Sequence, residues 1–189
     1  MKVFDFYEVQ AMKAKCKDPK LEGDLVSAGT DGEDVIKDIR FIPKRGGVVK
    51  IYEEPDDSPI ANRYVTVVDI GGSRPTSDFS SVRVFDRLMM MEDFGGLNGK
   101  PSVVAEMHYH AANHKTLIND AMRLSAYYGN ALLVIESNTL ETSNKERDVE
   151  GGGAEYILDI ASGIYPNLYM RRNKEEDVDE KTERKYGFH

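Results

Sequence analysis

The segment that most constrains this chain is Tyr64-Val65-Thr66-Val67-Val68-Asp69, five β-favouring residues in a row closed by an aspartate. A run without polar alternation reads as a central strand buried on both faces. The loop GGSRPTSD follows, then a second strand over Ser80–Met91, the turn-forming stretch Asp93–Lys100 with three glycines, and a third strand over Ser102–Met107. Such short connections make the three strands an antiparallel meander. Asn113 then caps a helix running through Tyr128, stopped by Gly129, with Leu117, Ala121, Leu124 and Tyr128 forming one apolar stripe. A buried strand over Ala131–Ile135 comes next and ends in Glu136. After the polar loop SNTLETSNKERDVEGGG, a helix over Ala154–Ser162 and a fifth strand over Asn167–Met170 complete the pattern.

Strand, strand, strand, helix, strand, helix, strand builds an α/β mixed sheet, an antiparallel three-strand meander followed by parallel strands with flanking helices. This is the order of the ribonuclease-H-like fold. Residues 1–60 are less regular. They offer a short helix within 5–17, the polar stretch SAGTDGEDVIKD, strands at Val35–Ile42 and Val48–Tyr52, and an acidic, proline-bearing linker EEPDDSP. They read as an N-terminal extension or linker, with the main domain at 61–189. At 189 residues and 40% hydrophobic content the chain can bury a core, which excludes full disorder. A single cysteine, Cys16, excludes an internal disulfide framework, and no apolar run is long enough to span a bilayer, so a reducing, cytoplasmic setting is expected. The net charge of -8 argues against a broad phosphate-tracking surface, but not against an enzyme whose carboxylates hold cations.

Two strands end in carboxylates, Asp69 and Glu136. Two-metal phosphodiester cleavage needs acidic oxygens converging from different elements, because Mg²⁺ and Mn²⁺ take hard oxygen ligands. Each residue could equally be a polar group where a strand meets solvent. Asp78, beyond the loop, is a third candidate ligand or an Asx turn leading into the second strand. Glu106, late in the third strand, is a weaker one. A rival reading comes from DIGGS, which resembles the first phosphate turn of sugar-kinase and actin-like phosphotransferases. The later cluster Gly151–Gly153 lacks the strand and Asp-x-Gly that a second phosphate loop needs. A non-catalytic docking module is the other alternative. His108, His110 and His114 could bind zinc, but a polar junction touching nucleic acid suits a strand-to-helix transition better. The basic residues of the tail from Arg171 alternate with acids, as on a solvated segment.

Taken together, YVTVVDIGGSRPTSDFSSVRVFD, SAYYGNALLVIESN and YPNLYMRR followed by KYGFH resemble the nuclease domain of the large terminase subunit of tailed bacteriophages, from about Gly47 to His189. The resemblance implies a metal-dependent endonuclease that cuts concatemeric double-stranded DNA during head filling. It carries the family's first-strand aspartate onto Asp69 and its fourth-strand glutamate onto Glu136, both as metal ligands, and makes Asp78 a softer third assignment. It further implies Mg²⁺ or Mn²⁺ as cofactor, two ions in the complete site, with Asp69 bridging both and Glu136 holding one. Portal and small terminase subunit would be partners, in the host-cell cytoplasm and with no membrane. The family's third essential carboxylate lies beyond the KYGFH region, and its ATPase domain has no counterpart upstream. A piece lacking both is expected to cleave poorly alone, and restoring the downstream helix should raise activity.

Overall fold

The computed structural model describes residues 5–57, 60–71, 78–91, 94, 99–111, 113–136, 154–171 and 185–186. Its centre is the expected meander. The strands β4 (Tyr64–Asp69), β5 (Ser80–Asp86) and β6 (Ser102–Tyr109) pair antiparallel in sequence order, and β7 (Leu132–Ile135) adds to β4 in parallel. A parallel bridge from Leu133 to Leu168 places the expected fifth strand beyond β7, held by Leu133 N–H to the Asn167 carbonyl at 2.9 Å and Tyr169 N–H to the Leu133 carbonyl at 2.8 Å. The spatial order is therefore third, second, first, fourth, fifth, the ribonuclease-H-like arrangement of an α/β mixed sheet. Helix α1 covers Phe6–Lys13, α2 covers His114–Tyr127 and α3 covers Ala154–Ile164. As expected, Asn113 caps α2, its side chain accepting the Thr116 N–H at 2.8 Å.

Three further strands of the sheet lie within residues 21–51. Strands β1 (Leu21–Val26), β2 (Arg40–Pro43) and β3 (Val49–Ile51) extend it to seven strands in the order β2-β1-β3-β6-β5-β4-β7. Leu21–Val26 has no place in the sequence reading because LEGDLV carries two acids and a glycine. Those acids lie on one face, while Leu21, Gly23 and Leu25 turn to the other. Gly23 is required there: a Cβ would stand 2.2 Å from the Ile42 carbonyl oxygen. The expected strand over Val35–Ile42 is instead a 3-10 turn, Gly32–Ile36, followed by β2, and the strand begun at Ser80 stops at Asp86 before a 3-10 turn at Leu88–Met90.

One face of the sheet carries the core. Val68, Val82, Val84, Ala105, Met107, Leu133 and Ile135 are buried there beneath Leu117, Ile118, Ala121, Leu124 and Tyr128 of the α2 segment and Leu158 and Ala161 of α3. The opposite face is open among the described residues: Val67 and Val103 are 39% and 38% exposed. β4 is thus buried on one face, not on both as its composition suggested. A bulge between Val84 and Phe85 decides which residues of β6 face which way. Its extra residue, Val104, has a carbonyl that takes the N–H groups of Tyr52 and Glu53, at 2.8 and 3.1 Å, and the Tyr128 hydroxyl at 3.3 Å.

Thr66 lies on the covered face of β4, fully buried, and among the described residues its Oγ1 has no hydrogen-bond partner. A buried hydroxyl without a partner costs free energy that an isosteric methyl does not. Thr66→Val is therefore expected to raise stability by about 1 kcal/mol, read as a higher urea midpoint at unchanged m.

Candidate functional site

Parallel pairing aligns β4 and β7 as Val65 with Leu132, Thr66 with Leu133, Val67 with Val134 and Val68 with Ile135. The next step of this register sets Asp69 beside Glu136, and the Glu136 N–H donates to the Val68 carbonyl at 3.0 Å. Val68 and Ile135 are both fully buried, so alternation sends the two carboxylates to the open face together. Asp69 is exposed and Glu136 half-buried. Neighbouring strands run about 4.8 Å apart, so two carboxylates side by side can share a cation. They stand at the carboxyl ends of adjacent parallel strands, where open α/β sheets generally bind ligands.

The row continues across the sheet. Asp69 is the register partner of Ser81, and Ser81 that of His108, so Glu136, Asp69, Ser81 and His108 line up across four strands on one face. Asp78 is exposed and lies outside this ladder, two residues before Ser80. Its backbone is nonetheless close to the end of β4. A Cβ on Gly71 would meet the Asp78 carbonyl oxygen at 2.3 Å and the Phe79 carbonyl carbon at 2.5 Å, and the Gly71 N–H donates to Ser80 Oγ at 3.1 Å. The loop that begins after Gly71 and ends before Asp78 is pinched at its mouth beside Asp69. Gly71→Ala is expected to push the two backbones apart and cost about 1–3 kcal/mol. By contrast, Gly163→Ala in α3, whose Cβ would meet nothing, should cost nothing. Denaturant midpoints of the two variants would check this.

Glu106 has other work. It accepts the Tyr52 hydroxyl at 2.8 Å and lies 3.9 Å from both Lys50 Nζ and Arg83 Nε. Burial, reinforced by Glu106, pushes the Tyr52 hydroxyl up to about 12. The three histidines diverge: His108 sits in the cross-strand row, His110 stacks on Phe79, and His114 opens α2. Among the described residues no three His, Cys, Asp or Glu side chains gather as a metal-binding group. The Asp69–Glu136 pair fits a magnesium-type ion by its chemistry, since such ions are commonly held by one or two carboxylates and otherwise keep water and substrate phosphate. Of DIGGS, Gly72 and Ser73 lie outside the described residues, as do Gly151–Gly153 and most of the basic tail. Phe79 and Ser81 are features of this face that sequence reasoning missed. The signal for Phe79 was available, because it shares odd-numbered alternation with Ser81.

No family model matches the chain, and no curated protein sequence matches it. Among solved structures, the chain is similar to the large terminase nuclease of the thermophilic phage G20c, over 69% of this chain and 76% of that one, with 18% identity and a TM-score of 0.39. It is similar also to the large terminase nuclease domain of Thermus phage P74-26, over 69% and 74%, with 18% identity and a TM-score of 0.36. No described helix is long and apolar enough to cross a membrane.

Proposed function

We propose that this chain is a metal-dependent endonuclease, the nuclease part of a phage DNA-packaging terminase that cuts concatemeric double-stranded DNA. The observation that carries the reading is the pairing of Asp69 with Glu136 at the carboxyl ends of two adjacent parallel strands, on the open face. The sequence resemblance to terminase nucleases falls on the same two residues.

In this reading Asp69 and Glu136 hold a divalent cation, Mg²⁺ or Mn²⁺, and Asp78 at the loop mouth is a further ligand for a second ion. A cation there supplies Lewis acidity toward a phosphodiester and lowers the pKa of water. The protein's part is to fix both carboxylates on rigid strands and to leave Asp69 open to solvent and substrate. Ser81 and His108, next in the row, offer hydrogen bonds to the phosphate. Residues 61–189 carry the catalytic groups, and the N-terminal extension, 1–60, adds strands β1–β3 to the same sheet. Portal and small terminase subunits are its partners, in the host-cell cytoplasm.

The test is nicking of supercoiled plasmid in Mn²⁺, with the Asp69→Asn chain prepared in parallel. Slow nicking that EDTA stops and Asp69→Asn abolishes is the expected result. Nicking of equal rate in the variant, or neither Mn²⁺ binding nor nicking by the parent chain, would overturn the reading.

A further inference from the structure

Beside the carboxylate row lies a group of rings that the core does not use. Phe79 is 51% exposed. Its ring stacks on His110 with centroids 4.0 Å apart and planes at 27°, and lies 4.9 Å from the His108 ring at 42°. His110 is oriented by this stack: its Nδ1 is enclosed and, among the described residues, has no hydrogen-bond partner. The register fixes where the rings stand. His108 faces Ser81, which faces Asp69, so two strand spacings of about 4.8 Å separate His108 from Asp69 on the open face.

A half-exposed phenylalanine backed by two imidazoles presents a flat, rigid, apolar surface at the end of a sheet. With a net charge of -8, the chain does not rely on dense phosphate contacts to hold a polynucleotide. Stacking is the sequence-tolerant alternative, because every base has a π-face. Within a duplex both faces of each base are already stacked, so the platform suits a base that has left the helix. We propose that Phe79, backed by His110 and flanked by His108, is a stacking platform for an unpaired base of a nucleic-acid strand crossing the open face. The proposal rests on the nuclease reading only in setting the strand's phosphodiester at Asp69 and Glu136; the platform itself does not require cleavage.

The test uses a short single-stranded DNA carrying 2-aminopurine, whose emission is quenched when the base stacks, in EDTA so that no strand is cut. The parent chain should quench it saturably, and Phe79→Trp should retain the effect. Phe79→Ala should bind about tenfold more weakly, the weight of one base–aromatic stack. A blunt duplex of the same sequence should quench little. Phe79 is exposed, so the alanine variant should fold, as its melting curve would show. Equal quenching by the parent and Phe79→Ala, or no quenching by the parent, would overturn the platform. Quenching that depends on Phe79, with neither Mn²⁺ binding nor nicking by the parent chain, would leave the platform standing and the nuclease reading refuted. Nicking that depends on Asp69, with no effect of Phe79→Ala on quenching, would do the reverse.

Discussion

Asp69→Asn and Glu136→Gln should each lower Mn²⁺ affinity and plasmid nicking by at least about a hundredfold, more than the 10–100-fold typical of losing a group that only supports a ligand. The double variant should be little worse than either single one. Neighbours that act as one unit are strongly non-additive, since removing one leaves the other with nothing to share. Stability should move the other way. Two carboxylates on adjacent strands of one face repel when no cation lies between them, and Asp69 is exposed, so Asp69→Asn should melt at the same temperature as the parent or slightly above it. Sites built for function commonly trade stability in this manner. Isothermal titration with Mn²⁺, nicking rates and melting curves on the four chains separate the outcomes. Additive losses would make the two carboxylates independent. A fall in melting temperature parallel to the loss of nicking would make them structural groups at strand ends.

The residues of that pair were legible in the sequence one by one, and their adjacency only through the ribonuclease-H-like order of the elements. Each closes an apolar strand, which composition shows directly. That β7 lies beside β4 and not on the far side of β6 follows from how α2 packs on the sheet, a tertiary outcome that no local pattern encodes. α2 itself was readable to within a residue because cap, stripe and stop agree. β1 was not, since only its alternation, and not its composition, marks a strand. The aromatic platform shows the limit most clearly. Without the bulge between Val84 and Phe85, alternation continued from Val103 would turn Met107 to the open face and His108 into the core. One extra residue exchanges the two faces, and nothing in SVVAEMHY announces it.

Arg63→Ala should destabilise the chain by about 3–5 kcal/mol, the range for breaking a buried ion pair by removing one partner. Arg63 and Asp86 have side chains each only 10% exposed. The guanidinium Nε lies 3.2 and 3.1 Å from the two Asp86 oxygens, Nη2 lies 2.8 Å from Oδ2, and Nη1 reaches Asp56 at 2.7 Å. The group also stacks 5.1 Å over the Tyr64 ring. Asp86, chiefly, holds the guanidinium above its ordinary pKa, so it stays charged throughout the accessible range. Without it, the Asp86 carboxylate would keep only the Leu88 N–H, at 2.8 Å, among the contacts identified for it. The exposed Lys44–Asp24 pair, equally short at 2.7 Å, should cost no more than about 1 kcal/mol when broken, because water screens it. Burial, not distance, separates the two. Urea midpoints for Arg63→Ala and Lys44→Ala would check the contrast, and a loss below about 1 kcal/mol for Arg63→Ala would refute it. The pair sits where β4 begins and β5 ends, at the opposite end of these strands from the carboxylate row. Folded Arg63→Ala protein should therefore still bind Mn²⁺, and its loss of nicking on warming should follow its loss of structure. The Asp69 and Glu136 variants should lose nicking with their structure intact.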